Sequence, residues 1–383
     1  MSKRDLRYNP NRPRVPLDAT KYGPLLKLTA AIALVAAFVV FVALFLVPKL
    51  THWLRDGISW EDALPRPTPG PTAVPQDPLA ERSAVPFAFD PALGIHAILD
   101  PSVFGGDMLF VSGADTSLPN RLLRYDLTSG EVSEVPATIT HDAVRMPVES
   151  GRYIAYFDQK TEGGGSVRVI DKLLEKDTVL CDVRFGVPQL MLEAQYLVFT
   201  ERTGSSAYRV NVADLDTMES VSVAQIEDDA YGASLPSIAS GQVLYAVKNV
   251  SHPACGVIAS LQIEKNIPFI YDPGTFVHDP RSNGDCWAWM TGNHDRSAAL
   301  YLSVRGGKPE LIARGVADFR MLSSAIVYCR DETVYAYAFS DRRTYVLSET
   351  GVKAQLLTAM NGYVIWRDVT DPENVQYRFM RAM

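Results

Sequence analysis

Ile154-Ala155-Tyr156 sets an apolar residue two places before an aromatic one, the spacing that puts both on one face of a β-strand. The same core recurs as Met108-Leu109-Phe110, Leu197-Val198-Phe199, Val243-Leu244-Tyr245, Trp287-Ala288-Trp289, Ile326-Val327-Tyr328 and Val364-Ile365-Trp366. Successive aromatic positions lie 46, 43, 46, 44, 39 and 38 residues apart, a mean of about 43. A glycine stands four or five places before the aromatic in five repeats, at Gly106, Gly151, Gly241, Gly284 and Gly362. Repeats three and six have Glu193-Ala194 and Ser323-Ser324 there instead.

A second alternating strand follows most of these cores, as in Leu122 to Leu127, Val167 to Ile170, Tyr208 to Val212 and Leu300 to Val304. Connections between second and third strands read as tight turns, Asp126 to Glu131 and Asp214 to Glu219 among them. Helical periodicity is missing beyond the first part of the chain. A period of 40–45 residues holding about four short strands predicts an all-β fold, a seven-bladed β-propeller over residues 85–383. The repeats resemble TolB-like propellers and the propeller domains of prolyl-oligopeptidase-type proteins. That resemblance covers roughly residues 86–383 and implies a fold rather than an activity. It carries no peptidase function with it, since the repeats leave no stretch for a hydrolase domain.

Ring closure is also predictable. The last repeat supplies three strands, Ala354 to Met360, Tyr363 to Arg367 and Val375 to Arg381, one short of a blade. Val85-Pro86-Phe87-Ala88-Phe89-Asp90 alternates but has no blade of its own. It is expected to complete the last blade as its outermost strand.

Ahead of the repeats, Leu28 to Val47 is twenty residues without a charge, bracketed by Pro24 and Pro48. At about 1.5 Å per residue it spans the roughly 30 Å hydrocarbon layer, so residues 25–48 read as one transmembrane helix. Seven basic residues precede it and three follow in the comparable stretch, which keeps residues 1–24 cytoplasmic and places the rest outside the cell. A cleaved signal peptide would end at small residues, whereas Leu46-Val47-Pro48-Lys49 follows here. Six prolines between Pro65 and Pro78 make residues 49–84 a juxtamembrane segment and semi-rigid stalk.

The full chain of 383 residues carries a net charge of −7, and the part beyond Arg66 has 27 basic against 39 acidic residues, a net −12. That balance disfavours nucleic acid and favours neutral or cationic partners. No G-x-S-x-G elbow, H-E-x-x-H, phosphate loop or EF-hand pattern is present, and Gly163-Gly164-Gly165 reads as a flexible hairpin loop. The cysteines Cys181, Cys255, Cys286 and Cys329 sit in different repeats; outside the cell they allow two disulfides with three pairings, but Cys286 and Cys329 fall on core strands expected to bury simple thiols, so the favoured reading has no disulfide.

His141, His252, His278 and His294 fall in stretches expected to be loops of one propeller face, and with Asp228 and Asp229 they form the expected binding set. His252, Cys255, His278 and His294 belong to neighbouring repeats, and zinc is the metal such a set would suit, although no short-spaced ligand pair calls for a cofactor. The reading is a membrane-anchored module of a bacterial envelope that binds or scaffolds an extracytoplasmic protein or glycan. The alternative is a propeller hydrolase or lyase acting on an extracellular polymer.

Overall fold

The computed structural model describes residues 84–113, 118–227, 234–249, 251–252, 255–292, 298–304 and 306–382. The cytoplasmic tail, the anchor and the Pro-rich stalk expected at the start of the chain lie outside these residues. Among the described residues no helix is long and apolar enough to cross a membrane.

Strand β1 (Val85–Phe87) opens the described chain, followed by one 3-10 turn at Pro91–Leu93. Blade one is β2 (Leu99–Phe104), β3 (Asp107–Ser112), β4 (Arg121–Asp126) and β5 (Val132–Glu134); blade two is β6 (Ala143–Glu149), β7 (Tyr153–Gln159), β8 (Gly165–Asp171) and β9 (Lys176–Val183). Blade three is β10 (Leu190–Glu193), β11 (Tyr196–Arg202), β12 (Ala207–Asp214) and β13 (Glu219–Glu227); blade four is β14 (Ser237–Ala239), β15 (Gln242–Lys248), β16 (Gly256–Gln262) and β17 (Ile267–Tyr271). Blade five is β18 (His278–Ser282), β19 (Cys286–Met290), β20 (Ala299–Val304) and β21 (Glu310–Arg314); blade six is β22 (Val316–Met321), β23 (Ala325–Arg330), β24 (Thr333–Ala338) and β25 (Thr344–Val346). Blade seven combines β26 (Ala354–Met360), β27 (Tyr363–Asp368) and β28 (Gln376–Arg381) with β1, in the order β26-β27-β28-β1. Every pairing within the blades is antiparallel, as in the β11–β12 ladder, which runs from Tyr196 opposite Asp214 to Arg202 opposite Tyr208.

The repeated cores are the second strands of the blades. Flanked by sheet on both edges and by neighbouring blades on both faces, they bury Phe110, Tyr156, Phe199, Trp289, Tyr328 and Trp366 almost completely. An inner strand precedes each core, so the Asp126 and Asp214 turns join third to fourth strands rather than second to third. In the first of them Asp126 Oδ1 accepts from the Thr128 and Ser129 amides at 2.6 and 2.9 Å.

Gly163-Gly164-Gly165 does join two strands, β7 and β8, but a flexible loop is the wrong description. A Cβ on Gly164 would stand 2.5 Å from the Arg184 carbonyl oxygen, and one on Gly165 would stand 2.1 Å from that of Asp158. Backbone packs directly on backbone here, which only glycine permits.

Closure follows the expected scheme. Val85, Pro86 and Phe87 pair with Phe379, Arg378 and Tyr377. Phe87 stacks on Tyr125 of blade one at 5.0 Å and meets Tyr377 and Phe379 of blade seven at 5.7 and 5.8 Å. Phe89 stacks on Phe110 of blade one at 5.4 Å. One short strand thus completes the seventh sheet and inserts its ring between the last blade and the first.

Phe87→Ala is expected to cost about 3–4 kcal/mol by opening a cavity in this cluster. For a domain of this size that lowers the melting temperature by roughly 6–12 °C. Calorimetry of the full chain checks it, with deletion of residues 68–78 as the control expected to leave the transition in place.

Candidate functional site

Seven inner strands face the axis, and each has one edge without a strand partner. Such an edge tolerates proline, whose missing amide would break an inner ladder. Pro101, Pro147, Pro236 and Pro280 stand in or beside the inner strands of blades one, two, four and five. Three of them lie in β-bulges, where the register skips between Leu99 and Ser102, Arg145 and Val148, and His278 and Arg281. The residue before each of these prolines is left-handed, with φ of 48° at Asp100, 52° at Met146 and 50° at Asp279. Bulges of this kind re-aim the side chains around them.

Two of the bulge residues tie blades together. Asp100 accepts from Arg145 Nε at 2.7 Å and from the Met146 amide at 3.0 Å, joining blade one to blade two. Asp279 accepts from the Leu235 amide at 2.6 Å and lies 3.1 Å from His278 Nδ1, while its own amide donates to Ser234 Oγ at 2.9 Å. Burial alone would raise the Asp279 carboxyl; the hydrogen bond and charge of His278, with Arg281 and the Leu235 amide, outweigh it and hold the group below its ordinary value.

A central channel of about 1180 Å³ runs along the inner strands and takes lining residues from all seven blades. It reaches the face that carries the turns between first and second strands. There the turns brace one another around the mouth. Glu193 accepts from the Ser240 and Gly241 amides at 2.7 and 2.8 Å, Ser150 Oγ donates to the Ala194 carbonyl at 2.7 Å, and Asn283 Nδ2 donates to the Leu322 and Ser323 carbonyls at 3.3 and 3.2 Å.

The channel wall is charged. Five arginines and three carboxylates line it, Arg145, Arg281 and Arg320 from inner strands. Arg320 bonds to Asp318 and to the Phe319 carbonyl. Burial first, and then the neighbouring Arg320, push the Arg281 guanidinium down to about 10, which leaves it charged at neutral pH.

The residues singled out from sequence lie elsewhere. His141 precedes β6, where its Nδ1 is 3.1 Å from the fully buried Asp158, whose carboxylate also accepts from the Thr140 and His141 amides at 3.0 Å each. His252 caps a turn between β15 and β16, its carbonyl accepting from the Cys255 amide at 2.8 Å. His278 is not in a loop but opens β18 and is fully buried, because the bulge at Asp279-Pro280 lets a His-Asp-Pro sequence continue a strand. Asp228, Asp229 and His294 lie outside the described residues. Among the described residues no group of three His, Cys, Asp or Glu side chains is placed to hold a metal ion. None of the four cysteines forms a disulfide, and Cys286 and Cys329 are buried on β19 and β23.

Among solved structures, the chain is similar to the β-propeller domain of the Trilobed protease from Pyrococcus furiosus, with a TM-score of 0.56, 11% identity, and coverage of 76% of this chain and 94% of that one. An oligogalacturonate lyase in complex with manganese gives 0.52 and 11%, over 76% of this chain and 90% of that one. The acylaminoacyl peptidase of Pyrococcus horikoshii gives 0.51 and 12%, over 71% of this chain and 48% of that one. These likenesses are of fold alone, and the fold they share with this chain is the β-propeller. The Pyrococcus furiosus propeller is described as having an open velcro topology; in this chain the first and last strands share one sheet. No protein-family model matches the sequence. No curated protein matches it either.

Asp279→Asn is expected to loosen the joint between blades four and five by about 1–3 kcal/mol at pH 7. The folded carboxyl lies below its ordinary 3.8, so its contribution is complete above about pH 5 and is lost as the pH falls through the folded value. Urea unfolding at pH 7 and pH 3 checks it: the gap between wild type and variant should shrink at the lower pH.

Proposed function

We propose that this chain is a single-pass, membrane-anchored extracytoplasmic propeller that binds or scaffolds an envelope protein or glycan through its central channel. The observation that carries the reading is the channel itself, about 1180 Å³ and walled by all seven blades. Ligand sites are concave, of several hundred to about a thousand Å³, and set on rigid frames. Residues 28–47 support the anchor by their length and lack of charge, and the basic residues before them support an inside start. Catalysis on an extracellular polymer is the competing reading.

The test is site-specific photocrosslinking of the full chain in membranes. A photoreactive residue at Ser323, in a turn at the channel mouth, should capture a discrete partner, whereas one at Leu173, on an outer turn, should not. Capture from Leu173 alone would overturn the channel as the binding site, and recovery of a shortened polymer would select catalysis. Alkaline extraction should leave the full chain in the membrane pellet and release a variant lacking residues 28–47; a full chain found in the supernatant would remove the anchor.

A further inference from the structure

We infer that the channel wall between blades five and six holds a compact oxyanion, a carboxylate or phosphoryl group of the bound ligand, on the guanidinium of Arg281 with Arg320 beside it. This rests on the channel being the binding site and names the chemistry that the site selects. The chain beyond Arg66 carries a net −12, yet arginines outnumber carboxylates five to three along the channel.

The three carboxylates are already engaged within the wall. Asp100 takes Arg145 and the Met146 amide, Glu149 takes Arg124 and Lys172 at 2.7 and 2.8 Å, and Glu193 takes the two turn amides of blade four. Arg320 has Asp318 for a counter-charge. Arg281 differs. Among the described residues it makes no ion pair, and its Nε is enclosed without a hydrogen-bond partner. Its guanidinium carbon lies 5.5 Å from the centre of the Phe319 ring. Asp279 and Asp318 act on it through their fields without contact, while Arg320 repels it.

A half-buried cation beside a second cation, with one contacting carboxylate between them, is costly to keep, and an arriving oxyanion offsets that cost with charge-assisted hydrogen bonds. The walls also argue against a peptide strand as the ligand. Prolines at 101, 147, 236 and 280 interrupt the amide donors along the inner edges of blades one, two, four and five, so an extended chain finds no continuous ladder to join on those four walls. Recognition by charge remains.

The experiment melts the full chain in detergent micelles at pH 7.5, in chloride alone and with 10 mM inorganic phosphate or 10 mM citrate at matched ionic strength. At least one anion should raise the melting temperature by about 2–5 °C, the shift expected near ten times a dissociation constant. A response to citrate alone assigns a carboxylate source, and a response to phosphate alone assigns a phosphoryl source. Arg281→Gln should melt close to wild type in chloride, because losing a cation without an ion pair offsets losing its field on Asp279 and its contact with the Phe319 ring, and should lose the anion response. No shift with either anion in wild type, or a shift that survives in Arg281→Gln, would overturn the inference. So would a variant melting well below wild type in chloride, which would give Arg281 a structural role. Photocrosslinking from Ser323 reads the channel without regard to charge. A partner captured there while both anion arms stay flat overturns the oxyanion site alone, and absence of capture overturns the reading beneath it.

Discussion

Everything in this propeller depends on a three-residue strand finding a partner at the other end of the chain. A single four-stranded blade cannot cover both of its faces, so each blade is stable only between two others. Six of the seven junctions join blades adjacent in sequence. The seventh joins blade seven to blade one, and β1 makes it by pairing with β28 while Phe87 and Phe89 pack into both blades. The Ile98 amide, donating to Tyr377 Oη at 3.2 Å across 279 positions, belongs to the same seam. Loop-closure entropy grows slowly with length, so even this long connection costs little more than a short one.

Closing the ring at its rim opens it at its axis. Seven inner strands surround a space that their own side chains do not fill, and that space is the channel. The inner edges carry bulges and prolines because there is no further strand for them to pair with, and the same devices set Arg145 and Arg281 next to the irregular backbone of Met146 and Asp279. Fold and candidate site are therefore two results of one geometry. The chain beyond Arg66 is acidic overall, while arginines outnumber carboxylates along the channel.

The second strands were legible because they are buried on both faces, so that every one shows an apolar-x-aromatic core free of polar interruption. The closing strand was legible by subtraction, as an alternating stretch left over beside a blade one strand short. Of the inner strands only that of the last blade, Ala354 to Met360, was legible, since bulges in most of the others break the alternation that marks a strand. His278-Asp279-Pro280 reads as a turn and is a strand; its histidine is buried against a carboxylate rather than offered to a ligand. A usable signal was present in the prolines: 101, 147, 236 and 280 follow the repeat period almost as closely as the aromatics do. The arginines could not be grouped from sequence, because 145, 281 and 320 share a wall only once the ring has closed.

The claim on which this account turns is that β1 covers the outer edge of β28. Hydrogen exchange of the full chain, followed by peptide mass spectrometry, addresses it directly. The account predicts that amides in residues 85–87 and 376–381 exchange as slowly as those of the other blades and lose protection together with them under mild denaturant. Rapid exchange of both segments, while the middle blades stay protected, would show an unpaired edge on blade seven and contradict the closed ring.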